Sequence, residues 1–246
     1  MKLLNGATLR TLQFGSIVVA TSALVACGGG NDSGSSQGAT VSGTAAVGAA
    51  MANASIVLTC KNGAGSATAN ASGAYSATFK FDGPCAITAS SGTIALHSFA
   101  AGAGTYNVTP LTELLLSYLA GQLGTTVSGL LSGISSNTAF QSALSNSTVI
   151  ANAQAAVAQL IKTQYGITLS SSSFLTVSFT PGQPGADADL DTLLTAGAIT
   201  ANGQPTAALT AAATTAGAAA PISGGGNGGG ATGGTGGTGG TGTTTK

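Results

Sequence analysis

A chain of 246 residues has room for one ordinary domain or two small ones once terminal segments are set aside. Only 5% of its residues are charged, and six basic and six acidic groups cancel, so composition offers no electrostatic footprint for nucleic acid, anionic lipid or an acidic polymer. Apolar residues reach 43%, which excludes disorder by self-repulsion, but much of that share is alanine, so thin cores and a surface of Ser, Thr, Asn and Gln are expected.

Lys2 and Arg10 are the only charges before Asp32, and residues 17–26 are almost all apolar or small. A basic start, a short apolar run and small residues at its end form a secretory signal over 1–26. The run is broken by Thr21 and Ser22 and falls far short of the about 20 residues that a membrane span needs. Its end, Leu24-Val25-Ala26-Cys27, resembles the lipobox of bacterial lipoproteins. That resemblance implies cleavage before Cys27, a thioether-linked diacylglycerol on its sulfur and acylation of the new amino group. Each buried methylene contributes about 0.8 kcal/mol and one chain holds only weakly, so two or three acyl chains are needed for a lasting membrane anchor. Gly28 stands where the family's inner-membrane members often carry Asp, which implies the outer membrane. The rival is a soluble exported protein with an ordinary thiol at Cys27. Three cysteines leave one unpaired in an exported chain, and acylation of Cys27 accounts for it, leaving Cys60 and Cys85 as a pair. Residues 27–39 then read as the lipidated cysteine and a Gly/Ser tether spanning on the order of 20 Å.

From 40 to 109 apolar residues alternate with polar or small ones in short runs broken by Gly, Asn, Ser and Pro. This period-2 signal predicts strands near 40–46, 53–60, 65–70, 74–81, 85–90, 93–100 and 104–109, a small antiparallel seven-strand β-sandwich. Val41, Ile56, Leu58, Cys60, Tyr75, Phe79, Phe81, Ile87, Ile94, Leu96, Tyr106 and Val108 are its expected inward residues. Val41-Ser42-Gly43-Thr44, Ala52-Asn53-Ala54-Ser55-Ile56-Val57-Leu58 and Asn70-Ala71-Ser72-Gly73-Ala74-Tyr75-Ser76 resemble the carboxypeptidase regulatory-like, prealbumin-type modules of bacterial surface proteins. In the last stretch Gly73 is expected at positive φ, with Tyr75 returning to the core. The resemblance implies a spacer, an adhesive unit or an accessory near sugars, and no activity. Cys60 falls on the Ile56/Leu58 face and Cys85 on the Ile87 face, so a disulfide is expected in an oxidising compartment, with two buried free thiols as the alternative. Closing a loop of about 26 residues contributes roughly 3.5 kcal/mol in the chain-entropy model.

At Asn107-Val108-Thr109-Pro110-Leu111-Thr112 the period changes to 3.6, opening a mainly helical region over 110–222. Thr109 suits a cap, Pro110 the first turn and Glu113 the positive end of the helix dipole. Leu111, Leu114, Leu115, Tyr118 and Leu119 make one apolar stripe. Further helices are expected at 126–134, 137–145, 148–165 and 187–196, the last capped by Asp187, packing on each other and on the open face of the sandwich. Residues 166–180 are Ser-rich and then strand-like. The succession of sandwich, Asn-Val-Thr-Pro-Leu-Thr and helical segment is similar to a group of Gram-negative lipoproteins, which implies no particular activity. In 223–246 thirteen of 24 residues are glycine, and such a Gly/Thr tail is expected to be disordered, as a solvated brush or a partner-binding segment.

Groups suited to chemistry are scarce. His97 is the sole histidine, and no Gly-x-Ser-x-Gly elbow accompanies it, so no catalytic residue is assigned. Asp187, Asp189 and Asp191 alternate as a calcium loop begins, but Thr192 and Ala198 occupy the sixth and twelfth places, where Gly and Glu are required. They read as carboxylates at a helix N-terminus. One histidine and two cysteines build no zinc site, and Trp is absent from any sugar platform. An isopeptide crosslink from Lys61 or Lys80 has only Asp82 as a nearby acid. The expectation is therefore a non-enzymatic outer-membrane lipoprotein with a structural or interaction role, held to the membrane by acyl chains on Cys27, without cofactor, metal or nucleic acid. The runner-up is a polysaccharide-binding or adhesin-like surface module.

Overall fold

The computed structural model describes residues 38–222. The signal segment, Cys27, the tether up to residue 37 and the tail 223–246 lie outside the described residues. Among the described residues seven strands precede six helices, the α+β order expected. The strands are β1 (Ala39–Thr44), β2 (Ser55–Cys60), β3 (Gly63–Thr68), β4 (Ala74–Phe79), β5 (Cys85–Ser91), β6 (Ile94–Ala100) and β7 (Gly104–Thr105). In β2 the period-2 pattern is complete: Ile56, Leu58 and Cys60 are buried and Ser55, Val57 and Thr59 exposed. The turn before β4 is held by Asn70, whose Oδ1 accepts from the Ser72 amide at 2.9 Å, the Ser72 hydroxyl at 2.8 Å and the Ala74 amide at 3.0 Å. Gly73 takes φ of +75° and Tyr75 is buried, its hydroxyl donating to the Tyr106 carbonyl at 2.6 Å. Gly43 is required on the neighbouring strand, because any Cβ there would overlap that same carbonyl.

The strands form two sheets, one in the order β4-β1-β7 and one in the order β3-β2-β5-β6. Side chains of both join a single buried cluster with those of the helices. The expectation of purely antiparallel strands fails at β7, which runs parallel to β1 and pairs only Val41 and Ser42. After β6 the chain crosses to the other sheet and runs alongside β1, continuing as the Ala45–Val108 bridge, and this delivers Asn107 and Thr109 to the start of the helical region. Phe79, Phe81 and Ile94 are partly buried rather than core, because they stand at or just beyond strand ends.

The helices are α1 (Pro110–Gln122), α2 (Val127–Gly133), α3 (Thr138–Ser145), α4 (Ser147–Tyr165), α5 (Ala186–Thr195) and α6 (Ala207–Ala218). Asn137 and Asn146 cap α3 and α4 through their side-chain oxygens, and Gly166 ends α4 in the left-handed conformation at φ of +72°. α5 is capped by Gly185, not Asp187, which lies inside its first turn. Residues 167–180 form no strand. Their backbone is tied instead to side chains, the Leu175 amide to Gln154 Oε1 at 2.9 Å and the Phe174 and Val177 carbonyls to Asn107.

α1 departs furthest from expectation. Its predicted single stripe is buried all round, from Pro110 to Gly121. One side lies on β6, covering Phe99, and another is closed by α6, which sequence periodicity did not signal. α6 is Ala207-Ala208-Leu209-Thr210 and then mostly alanine, with no stripe to read. It packs by backbone approach: a Cβ on Gly121 would strike the Thr214 carbonyl, and one on Gly217 the Tyr118 carbonyl.

Candidate functional site

Polar side chains converge most densely where β6, the 106–112 segment and the start of α1 meet. Asn107 is fully buried and spends both side-chain N–H groups and its Oδ1 on backbone: Oδ1 accepts from the Thr44 amide at 3.2 Å, and Nδ2 donates to Phe174 O at 3.1 Å and Val177 O at 2.7 Å. Its own amide donates to Leu175 O at 2.7 Å. Two residues on, the Thr109 amide donates to the Thr112 hydroxyl at 3.0 Å, closing the helix start from within, while Thr109 Oγ1 is buried without a partner. The Thr112 hydroxyl also lies 2.8 Å from the carbonyls of His97 and Thr109, with its one proton for the two of them. Asn-Val-Thr-Pro-Leu-Thr is thus a structural joint in which Asn107 and Thr112 tie one element to another.

Glu113, one residue beyond that joint, reaches β6. Its Oε1 accepts the backbone N–H of His97 at 2.6 Å and lies 2.8 Å from Nδ1 of the same residue. The carboxylate is nearly buried, at 11% exposure, and the imidazole is exposed to 32%. The His97 pKa is raised above its ordinary value, first by the hydrogen bond to Glu113, against burial, and further by that carboxylate's charge. With Nδ1 held by an acid, the ring resembles the oriented base of a hydrolytic triad. A nucleophile is missing: no described hydroxyl hydrogen-bonds the ring, and Ser98, next in the chain, turns to the opposite face with its Oγ buried. The pair can hold a proton and fasten the sheet to α1. Sequence reading assigned His97 no role and Glu113 only a helix-end charge; the strand register that faces one to the other was the missing piece.

The remaining predicted residues lie apart from this joint. Cys60 and Cys85 are bonded to each other, directly opposite in the β2–β5 register, and both are buried. Asp187 is 2% exposed; its Oδ2 accepts from the Gly182 amide at 2.7 Å and its Oδ1 has no partner. Burial pushes its carboxyl pKa up against that hydrogen bond, and the charge of Asp191 adds to the rise. Asp189 turns the other way and accepts from the amide and hydroxyl of Ser170 at 2.8 and 2.7 Å. Among the described residues no group of three or more His, Cys, Asp or Glu could hold a metal ion. Asp82 is hydrogen-bonded to the amide of Asn62 at 2.7 Å. Tyr75, Tyr106 and Tyr118 are buried and present no stacking surface. Two shallow, open depressions of about 320 and 270 Å³ flank α5 and α4, each lined by no more than one charged side chain. No described single helix is long and apolar enough to cross a membrane. No protein family, curated protein or solved structure matches the chain.

Proposed function

We propose that this chain is a lipid-anchored lipoprotein of the outer membrane whose folded part serves a structural or interaction role without catalysis. The observation that carries the proposal is Leu24-Val25-Ala26-Cys27 at the end of a short apolar run. The way the fold uses its polar groups supports it: Asn107 and Thr112 are committed to backbone, and Glu113 to the amide and ring of His97. The buried Cys60–Cys85 bond suits an oxidising compartment. Within this reading the two sheets make up one β-sandwich of the carboxypeptidase regulatory-like kind, supported by the Asn70–Tyr75 turn. Mass spectrometry of the mature protein from its native host tests the proposal. An N-terminal Cys27 carrying diacylglycerol and a further acyl chain, with a C27S variant released from membranes, is expected; an unmodified residue 27 on soluble protein overturns it.

A second reading, a polysaccharide-binding module, draws on the exposed face of β2 and β3. There Ser55, Thr59, Ser66 and Thr68 surround Val57 with hydroxyls and no charge. A glycan array without signal at high protein concentration removes it.

A further inference from the structure

The three carboxylates of α5 are not treated alike by the fold. Asp187 and Asp191 are one helical turn apart and share a face, while Asp189 projects to the other side, where the amide and hydroxyl of Ser170 hold it. Asp187 is 2% exposed, and only its Oδ2 is used, by the Gly182 amide; Oδ1 is buried and meets no donor. Burial pushes the Asp187 pKa up and the charge of Asp191 pushes it further, so the two carboxylates are within electrostatic reach of each other. Asp191 in turn lies against the turn at Gly48, where a Cβ would stand 3.1 Å from its Oδ1. Neither carboxylate has a basic partner, because the one ion pair among the described residues joins His97 to Glu113. A lone charge is costly to desolvate, and buried charges are accordingly paired or bound to metal ions. The positive end of α5 and the Gly182 amide serve one oxygen of Asp187 and leave the other open.

We infer that the unpartnered Oδ1 of Asp187 and the carboxylate of Asp191 form a site for a hard divalent cation, calcium or magnesium, which ties the first turn of α5 to the turn at Gly48. Two carboxylates match the charge of such an ion, and ions of this class complete their shells with backbone carbonyls and water, so a third acidic ligand is not required. An all-oxygen set disfavours zinc and the other thiolate- or imidazole-seeking metals. The site differs from the alternating loop that Asp187, Asp189 and Asp191 suggest in sequence: its spacing is one helical turn, and Asp189 is outside it. Nothing in it depends on Cys27, so it stands or falls apart from the lipid-anchor reading.

The full lipidated chain in non-ionic detergent, stripped with EDTA and returned to pH 7.5, tests this with calcium chloride or magnesium chloride as the only addition. A site with so few protein ligands should bind with a Kd of about 0.1–1 mM, so 10 mM of the preferred ion should raise Tm by roughly 3–10 °C. Calorimetry should count one ion per chain. Asp191→Asn should abolish the rise, and because Asp191 is exposed its loss does not threaten folding. Asp187→Asn should abolish it as well, whereas Asp189→Asn should retain it. No rise with either ion overturns the site and leaves a proton to neutralise Asp187. A rise that survives Asp191→Asn, or that Asp189→Asn removes, also overturns it.

Discussion

Asn107 is the residue whose loss should be felt most, and its cost can be worked from its partners. Asn107→Ala strands one buried amide, Thr44 N–H, and two carbonyls, Phe174 and Val177. A buried group left without its partner costs about 1–3 kcal/mol, less where water enters or the loop relaxes. The 174–177 segment can shift outward and rehydrate its carbonyls, whereas Thr44 lies inside β1, so about 3 kcal/mol is expected overall. For a domain of this size that is a fall in Tm of roughly 6–12 °C. Urea unfolding measures the loss, and hydrogen exchange locates it, with faster exchange at Leu175 and in residues 176–180. Asn107→Asp sharpens the test. One carboxylate oxygen can still accept from Thr44, but the other faces two carbonyls in a fully buried site, so its folded pKa must rise above the unfolded value. The penalty is absent below the unfolded pKa and grows as pH climbs toward the folded one, making Asn107→Asp less stable at pH 7.5 than at pH 5 relative to the parent. A cost below 1 kcal/mol for Asn107→Ala, or a pH-independent Asn107→Asp, would refute the role given to this side chain.

The His97 pKa is raised by Glu113, and its sole ring makes the proton spectrum unambiguous. Its C2 proton should titrate above 6.5 and move down in Glu113→Gln; the stability it adds is complete below about 6.5 and lost as pH rises through the folded pKa. Replacing Cys60 and Cys85 by serine opens a loop with a sequence separation of 25 and should cost roughly 3.5 kcal/mol in urea unfolding, while thiol titration of the unreduced, denatured parent should find neither cysteine. Gly217→Ala would ordinarily gain about 1 kcal/mol in a helix interior. Here its Cβ meets the Tyr118 carbonyl, so a net loss of about 2 kcal/mol is expected, and a stabilised variant would contradict the close approach of α1 and α6.

The strands were legible because β2 and β4 each bury one face and leave the other to solvent, which forces alternation into the sequence. The start of α1 was legible because Pro110 suits a first helical turn, where its missing N–H costs nothing, and the apolar spacing that follows it has a period of 3.6. α6 was not, because a helix that packs by backbone contact through Gly217 needs only small residues, and a run of alanine has no face to read. The same gap hid the burial of α1, whose Ser117 and Gly121 look solvent-facing until α6 covers them. The His97–Glu113 pair failed to appear for a different reason. Both residue types were visible, but their meeting depends on how far α1 lies along β6, a register that no local pattern carries.

Charge illustrates the limit most sharply, because composition sums what a fold can separate. Twelve charged groups that cancel rule out a field of one sign over the whole molecule, but not a local separation of charge. With a charge on one residue in twenty and a surface rich in hydroxyls and amides, Lys61 and Lys80 have, among the described residues, only Asp82 as a nearby carboxylate, and it is held by Asn62. Sparse charge therefore makes each position matter more, since an exposed lysine on a crowded surface is screened by its neighbours and one on a bare surface is screened only by salt.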